Sequence, residues 1–279
     1  VKLGYHSITW GGVLGHPVGV TSIKDLFYCG VGDMSEAARD IAAAGYTGTE
    51  MFDGDVAKYA DRPDDLFALL EGNGLELVSV YTGANFVYAD ILPDEMDKIS
   101  RAIDLAVRFG AERLVVGGGA RRAAGTTDDD YLALGRGLDR VSDMAAEKGL
   151  VATFHPHLTT IVENPTELER IMGCSSIGFC PDTGHLAAAG GDPAALIRAY
   201  PDRIKHVHLK DWKPEPFTWT PLGEGTLDFT DIVRAVTETG YDSWLMVELD
   251  EYAGSNLEAA KTSKAHLDQI VTELGITID

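Results

Sequence analysis

The feature that most constrains this chain is a repeating order of segments, strand-like run, helix-like run, glycine, from one end to the other. Strand-like runs occur at 2–7, 46–52, 75–82, 113–118, 150–155, 176–180, 204–210 and 243–249. The segments between them have helical spacing. MSEAARDIAAAG (34–45) is expected to be capped at Ser35 and to stop at Gly45. PDEMDKISRAIDLAVRFG (93–110) opens on Pro and acids and ends at Gly110, and the segments 126–149 and 227–240 repeat this grammar. A helix stopped by glycine and followed by a strand reads as a βα unit. Eight such units in about 250 residues predict an α/β chain of the (β/α)8 TIM barrel class. The rival is a doubly wound open sheet. Against it, the first βα turn, YHSITWGGVLGHPVG, lacks G-x-G-x-x-G at a strand–helix junction. No Pro- or Ser-rich linker interrupts the pattern. Residues 1–279 are therefore expected to form a single barrel domain, with the Gly-rich stretch from Trp10 to Gly32 as a loop over its mouth.

Charge narrows the partners. The formal net charge is −21 and the pI about 4.6. Such a field repels nucleic-acid phosphates and anionic membranes, so neither is an expected partner. Cys29, Cys174 and Cys180 are too few and too unevenly spaced for a disulfide framework, and read as reduced thiols. The run VKLGYHSITWGG predicts neither a signal peptide nor an anchor, and no stretch approaches roughly 18 uncharged apolar residues. A cytoplasmic protein is the expectation.

In a barrel, function sits where strands end. The strand ends here are His6, Glu50, Tyr81, the glycines 117–119, His155 with His157, Asp182 with His185, His206/His208/Lys210, and Glu248. Polar residues begin at any strand end, which explains single cases. It does not explain six of eight ends carrying His, Asp or Glu. In IKHVHLKDW (204–212), His206, His208 and Lys210 fall on one face of a strand. Glu248 follows the apolar run WLMV, and a carboxylate buried there needs a cation or donors. Asp182, His208 and Glu248, on successive strands, are placed to converge on one divalent ion. Mixed N/O donors suit Mn2+ first, with Co2+ or Mg2+ as alternatives. His206 reads as a supporting partner one layer deeper, and Lys210 as a rim ammonium meeting a substrate oxygen or an acid such as Asp211. Trp10, Trp212, Phe217 and Trp219 are candidate stacking residues in mouth loops. His6, Glu50 and Tyr81 are candidate substrate contacts, Glu50 also a candidate acid/base. The glycines 117–119 leave room for a ligand. Together with Arg121 and Arg122 they lack the P-loop lysine and spacing, so no phosphate site is expected.

PDTGH (181–185), HVHLKD (206–211), PLGEG (221–225) and VEL (247–249) resemble the xylose-isomerase-like TIM barrels, a superfamily of sugar isomerases, epimerases and dehydratases. The resemblance runs over roughly residues 2–275 and is nearest to inosose dehydratases, through the HPH run at 155–157 and HVHLKD followed by PLGEG. Tagatose-3-epimerase-like enzymes and lyases acting on 3-keto-glycosides are similar too. The resemblance implies metal ligation by Asp182, His208 and Glu248, and a substrate-binding or proton-handling role for His185. Epimerases of this fold carry glutamate where this sequence has His155. That departure leaves His155 or His157 as the fourth ligand.

The resemblance implies a metal-stabilised enolate of a keto-sugar or keto-cyclitol. Loss of a β-oxygen from it gives inosose-type dehydration, or β-elimination from a 3-keto-glycoside. Histidine suits proton transfer at neutral pH. His155 or His157 is expected as acid/base, helped by His185 and Lys210. The expected class is a metal-dependent lyase of carbohydrate or inositol metabolism. The alternatives are a ketose isomerase or 3-epimerase, and a barrel subunit of a hetero-oligomeric deglycosidase. Exposed barrel faces allow a homo-oligomer.

Overall fold

The computed structural model describes residues 1–11 and 27–278. Eight parallel strands form the barrel wall: β1 (Lys2–His6), β2 (Gly48–Phe52), β3 (Glu76–Gly83), β4 (Arg113–Gly117), β5 (Val151–His155), β6 (Gly178–Phe179), β7 (His208–Leu209) and β10 (Trp244–Val247). Their order is β6-β5-β4-β3-β2-β1-β10-β7. The ring closes between β6 and β7 through two isolated bridges, Phe179 to Ile204 and Asp182 to His208. This is a TIM barrel. Residues 12–26 of the expected mouth loop lie outside the described residues.

The outer ring consists of α1 (Met34–Ala43), α2 (Asp53–Ala57), α3 (Pro63–Asn73), α4 (Leu92–Arg108), α5 (Asp128–Glu147), α6 (Pro165–Cys174), α7 (Thr183–Ala188), α8 (Pro193–Ala199), α9 (Phe229–Glu238) and α10 (Asn256–Glu273). Local chemistry sets their ends. Thr127 with Asp130, and Asn164 with Glu167, form reciprocal capping boxes on α5 and α6. The cap of α1 is Asp33, not Ser35. Its carboxylate accepts from both the Ser35 amide (2.8 Å) and hydroxyl (2.7 Å), so Ser35 is a donor to the cap. An antiparallel hairpin, β8 (Asp211–Pro214) and β9 (Phe217–Thr220), stands outside the barrel beside the mouth.

The barrel interior is filled from the bottom upward. Val78, Trp244 and Met246 form a plug at the N-terminal end. Glycine at position 48 makes room for it: a Cβ there would lie 2.4 Å from the Trp244 ring and 2.6 Å from Val78. Overpacking of this kind typically costs about 1–3 kcal/mol. Gly48→Ala is expected to lose stability on that scale in urea unfolding, with an unchanged m-value; wild-type stability would overturn the steric account.

Candidate active site

Strands β5, β6, β7 and β10 bring four ionisable side chains to one point above the plug. His155 is the last residue of β5, His208 the first of β7, and Glu248 follows β10 directly. Asp182 lies just past β6 and caps α7: its Oδ1 accepts from the His185 amide (2.8 Å). That leaves Oδ2 free to face the barrel axis. One ligand atom from each of His155, Asp182, His208 and Glu248 lies within 4.8 Å of all the others, and all four residues are buried.

Both nitrogens of His155, Asp182 Oδ2, His208 Nδ1 and Glu248 Oε2 lack hydrogen-bond partners among the described residues. Each buried polar atom left this way costs about 1–3 kcal/mol. His155 Nε2 is 3.4 Å from Asp182 Oδ2, and His208 Nδ1 touches Glu248 Oε2. Two imidazoles and two carboxylates converging here, each with an atom outside any hydrogen bond, are a donor set that fits a divalent cation.

Lys210 is fully buried beside this group. Its Nζ lies 2.6 Å from Asp250 Oδ1, 3.1 Å from Asp182 Oδ2, 3.2 Å from Glu248 Oε1 and 2.9 Å from His185 Nε2. Burial opposes its charge, but Asp182, Asp250 and Glu248 hold its pKa well above the usual ammonium range. Burial pushes Asp250 up to about 7 against the pull of Lys210, with Glu248 adding repulsion. For Asp182 burial is outweighed by Lys210 and His185, which keep it well below the usual range. Three carboxyl groups thus crowd one ammonium, and a divalent ion would relieve the repulsion among them. Asp211 is not a partner of Lys210. Adjacent strand residues face opposite ways, and Asp211 instead accepts from the amides of Gly223 (3.0 Å), Gly225 (2.9 Å) and Thr226 (3.1 Å), shaping the loop that carries Glu224.

Two further histidines flank the group, with ring centroids 3.7 Å apart. His157 is half-buried, and its Nδ1 sits 2.6 Å from the Leu158 carbonyl. A carbonyl only accepts, so Nδ1 carries the proton and Nε2 keeps its lone pair. His185 Nε2 meets the Lys210 ammonium, which only donates, so His185 carries its proton on Nδ1. Burial, then Lys210 and His155, lower the pKa of His157; burial, then His157 and Lys210, lower that of His185. Both rings are neutral at neutral pH.

The other sequence-predicted contacts divide. Tyr81 borders the site, its ring 5.4 Å from that of His155. Trp219, on β9, packs its ring edge-on to His185 at 4.9 Å, with Lys210 Nζ 5.2 Å from its centroid. Trp10 is in the core instead, edge-on to Tyr5 and donating to Asp40 (2.8 Å), because a 3-10 turn at Ser7–Trp10 follows β1 directly. His6 and Glu50 are sealed beneath His208 with no exposed surface. Glu50 Oε2 accepts from Ser79, His206 and His208, Oε1 faces His6 Nε2 at 3.3 Å, and full burial removes the carboxylate from substrate contact. The space over Gly117 and Gly118 is taken by the Tyr81 hydroxyl and by Phe154 and Ile161. Arg121 and Arg122 pair with Glu163 (2.8 Å) and Asp130 (2.8 Å). Sequence reasoning missed Asp250 and Ser79. Asp250 was discoverable, standing two residues after Glu248 on the same face of an extended run.

Fold and site define a TIM barrel with a candidate metal centre at the C-terminal mouth. The chain belongs to the xylose-isomerase-like TIM barrel family, whose model matches residues 38–270. An inosose dehydratase of Lacticaseibacillus casei is 29% identical over 267 residues, 84% of this chain and 88% of that protein. Two solved structures share the fold. The IOLI protein with a binding zinc atom aligns at TM-score 0.73 and 17% identity, over 98% of this chain and 99% of that one. The probable 3-DHS dehydratase AsbF of Bacillus anthracis aligns at TM-score 0.73 and 15% identity, over 96% of this chain and 99% of that one. Among the described residues no helix is long and apolar enough to cross a membrane.

Proposed function

We propose that this chain is a metal-dependent carbon–oxygen lyase acting on a keto-cyclitol or keto-sugar, a single barrel with its active site at the C-terminal mouth. The observation that carries the reading is the unpaired four-residue donor set with a fixed pair of neutral histidines, His157 and His185, beside it. The inosose dehydratase and 3-DHS dehydratase names among its relatives support a dehydratase-type reaction. His155, Asp182, His208 and Glu248 would hold the ion, with Mn2+ preferred for an N2O2 set and Zn2+, Co2+ and Mg2+ as competitors. A bound divalent ion supplies Lewis acidity to the substrate ketone oxygen.

The chain's own residues handle the protons. His157 Nε2, held in place by the Leu158 carbonyl behind its ring, takes the proton from the carbon next to the ketone. The C–H electron pair enters the substrate as an enolate, which then expels the β-oxygen. His185 Nδ1–H protonates that departing oxygen, and Lys210 replaces the lost proton at His185 Nε2. Water, or the alcohol of a glycoside, leaves. Trp219 closes the side of the site behind His185.

The test is proton NMR in D2O with scyllo-inosose and a 3-keto-glucoside, using protein reconstituted with Zn2+ or Mg2+. Loss of ring protons with new enone or dione signals, abolished by EDTA, is the expected result. Deuterium entering the α-carbon without elimination would move the assignment to an isomerase or epimerase. Cation binding also predicts a stability change. An ion at about a hundred times its Kd adds about 2.7 kcal/mol, and each kcal/mol raises Tm by about 2–4 °C in a chain of this size class. Chelation is therefore expected to lower Tm by several degrees, with added Mn2+, Co2+ or Zn2+ restoring it; a melt indifferent to EDTA would remove the metal from the reading.

A further inference from the structure

The layer beneath the four donors contains one carboxylate facing three imidazoles. Glu50 Oε1 is 3.3 Å from His6 Nε2 and 3.1 Å from His208 Nε2, while Oε2 is 3.1 Å from His206 Nε2 and accepts from the Ser79 hydroxyl. Every one of these residues is sealed from solvent. The parallel register produces the layer: His6 pairs with Glu50 across β1 and β2, and Glu50 with Ser79 across β2 and β3. The hydrogen-bond directions follow from the partners. The Ile8 amide donates to His6 Nδ1 (3.0 Å), so His6 carries its proton on Nε2 and directs it at Glu50. A carboxylate only accepts, so His206 and His208 also direct Nε2–H at it. The Glu50 carboxylate is thereby held by hydrogen bonds to Oε2 from Ser79, His206 and His208, with His6 Nε2 facing Oε1 at 3.3 Å, contacts that come from β1, β3 and the run leading into β7.

Only one of those donors touches the donor set above. His208 turns Nε2 down to Glu50 and Nδ1 up to Glu248 Oε2. Without an ion Nδ1 also carries a proton, because the Glu248 carboxylate only accepts. A cation bound there would displace that proton and take the Nδ1 lone pair, while Nε2–H stays on Glu50. We infer that Glu50 is the positioning residue of the metal centre: it holds His208 in the Nε2–H form, fixes the ring's rotation, and increases the electron density Nδ1 offers to a divalent ion. His6, His206 and Ser79 hold Glu50 in turn, so the histidine row on this strand serves two layers: His208 faces the cation, and His206 braces the carboxylate behind it. The inference rests on the reading of His208 as a ligand.

Outer carboxylates of this kind are worth about 10–100-fold in metal affinity. The experiment measures Zn2+ affinity by competition with a chromophoric chelator, for wild type, Glu50→Gln, Ser79→Ala and Asp182→Asn. Glu50→Gln keeps the volume and removes the charge, and is expected to weaken Zn2+ binding about 10–100-fold. Ser79→Ala removes one brace and leaves the carboxylate, so its expected loss is under tenfold. Wild-type Zn2+ affinity in Glu50→Gln, alongside lost binding in Asp182→Asn, would overturn the positioning role and leave the metal centre intact. Undiminished binding in Asp182→Asn would remove Asp182 from the ligand set and place the Zn2+ outside this donor set as drawn, which overturns this inference with it. A second readout needs no variant. In wild-type protein loaded with diamagnetic Zn2+, long-range 1H–15N correlations of labelled histidine are expected to locate the His208 proton on Nε2. A proton on Nδ1 overturns the inference, even if Glu50→Gln fails to fold. A purely structural Glu50 would change the melting temperature without moving that proton.

Discussion

Asp182→Asn is expected to abolish cation binding and turnover while leaving the fold intact. Asp182 has two tasks on two oxygens. Oδ1 caps α7 by accepting from the His185 amide, and Oδ2 faces His155 (3.4 Å) and Lys210 (3.1 Å). Asparagine caps a helix about as well as aspartate, whereas alanine costs about 1 kcal/mol. The amide therefore keeps the first task and removes the charge needed for the second. Loss of a direct ligand carboxylate should exceed the roughly 100-fold upper range for outer-shell partners. Equilibrium dialysis against Zn2+, with a thermal melt of the metal-free variant, separates the two tasks. Stoichiometric binding at wild-type affinity would remove Asp182 from the ligand set.

His157→Gln is expected to behave in the opposite way, keeping the cation and losing the chemistry. The two histidines of the HPH run differ in what surrounds them. His155 is fully buried with both ring nitrogens unpaired, in the donor set. His157 has Nδ1 tied to the Leu158 carbonyl and a lone pair on Nε2. Removing a general base typically costs about 10^2–10^4 in rate. His155→Gln should lose the ion, while His157→Gln should bind it normally and fall by that factor in kcat. Because burial, Lys210 and His155 lower the pKa of His157, its basic form persists below the ordinary imidazole value of about 6.5. The acid limb of kcat/KM is therefore expected below that pH. A limb at or above it, or elimination surviving in His157→Gln, would assign the base elsewhere.

The barrel was legible because the four helices expected from the sequence are each followed by a glycine with a conformational signature. Gly45, Gly110, Gly149 and Gly240, the expected stops, have φ of 93°, 81°, 81° and 78°, the left-handed region that glycine enters at little cost. Strands 6 and 7 were read as runs of five and seven residues, and each retains only two paired residues. An apolar run reports burial, and burial persists here where ladder pairing stops. The β8–β9 hairpin went unread because Pro214 and Pro216 interrupt DWKPEPFTWT, and proline argues against a strand.

In the site, strand ends identified the chemical neighbourhood but not the depth within it. Glu50 and His6 end their strands as His155 does, yet they lie one layer down. That layer depends on the stagger between neighbouring strands, which periodicity along a single strand does not encode. Asp250 needed the same step in reverse, from a loop-like residue after β10 back to the face that Glu248 occupies.

The ring of backbone pairing is thinnest between β6 and β7, where two isolated bridges stand in for a ladder. Thr183 reinforces this seam by donating to the Lys210 carbonyl and accepting from its amide, both at 2.8 Å. One of the two bridges joins Asp182 to His208, two members of the donor set. An ion held by both side chains would act as a clasp across the weakest joint of the wall. Occupancy would then be a mechanical variable as well as a chemical one: the ion supply would govern how tightly the cylinder stays shut, and substrate arriving at an empty site would meet a looser vessel as well as a missing Lewis acid.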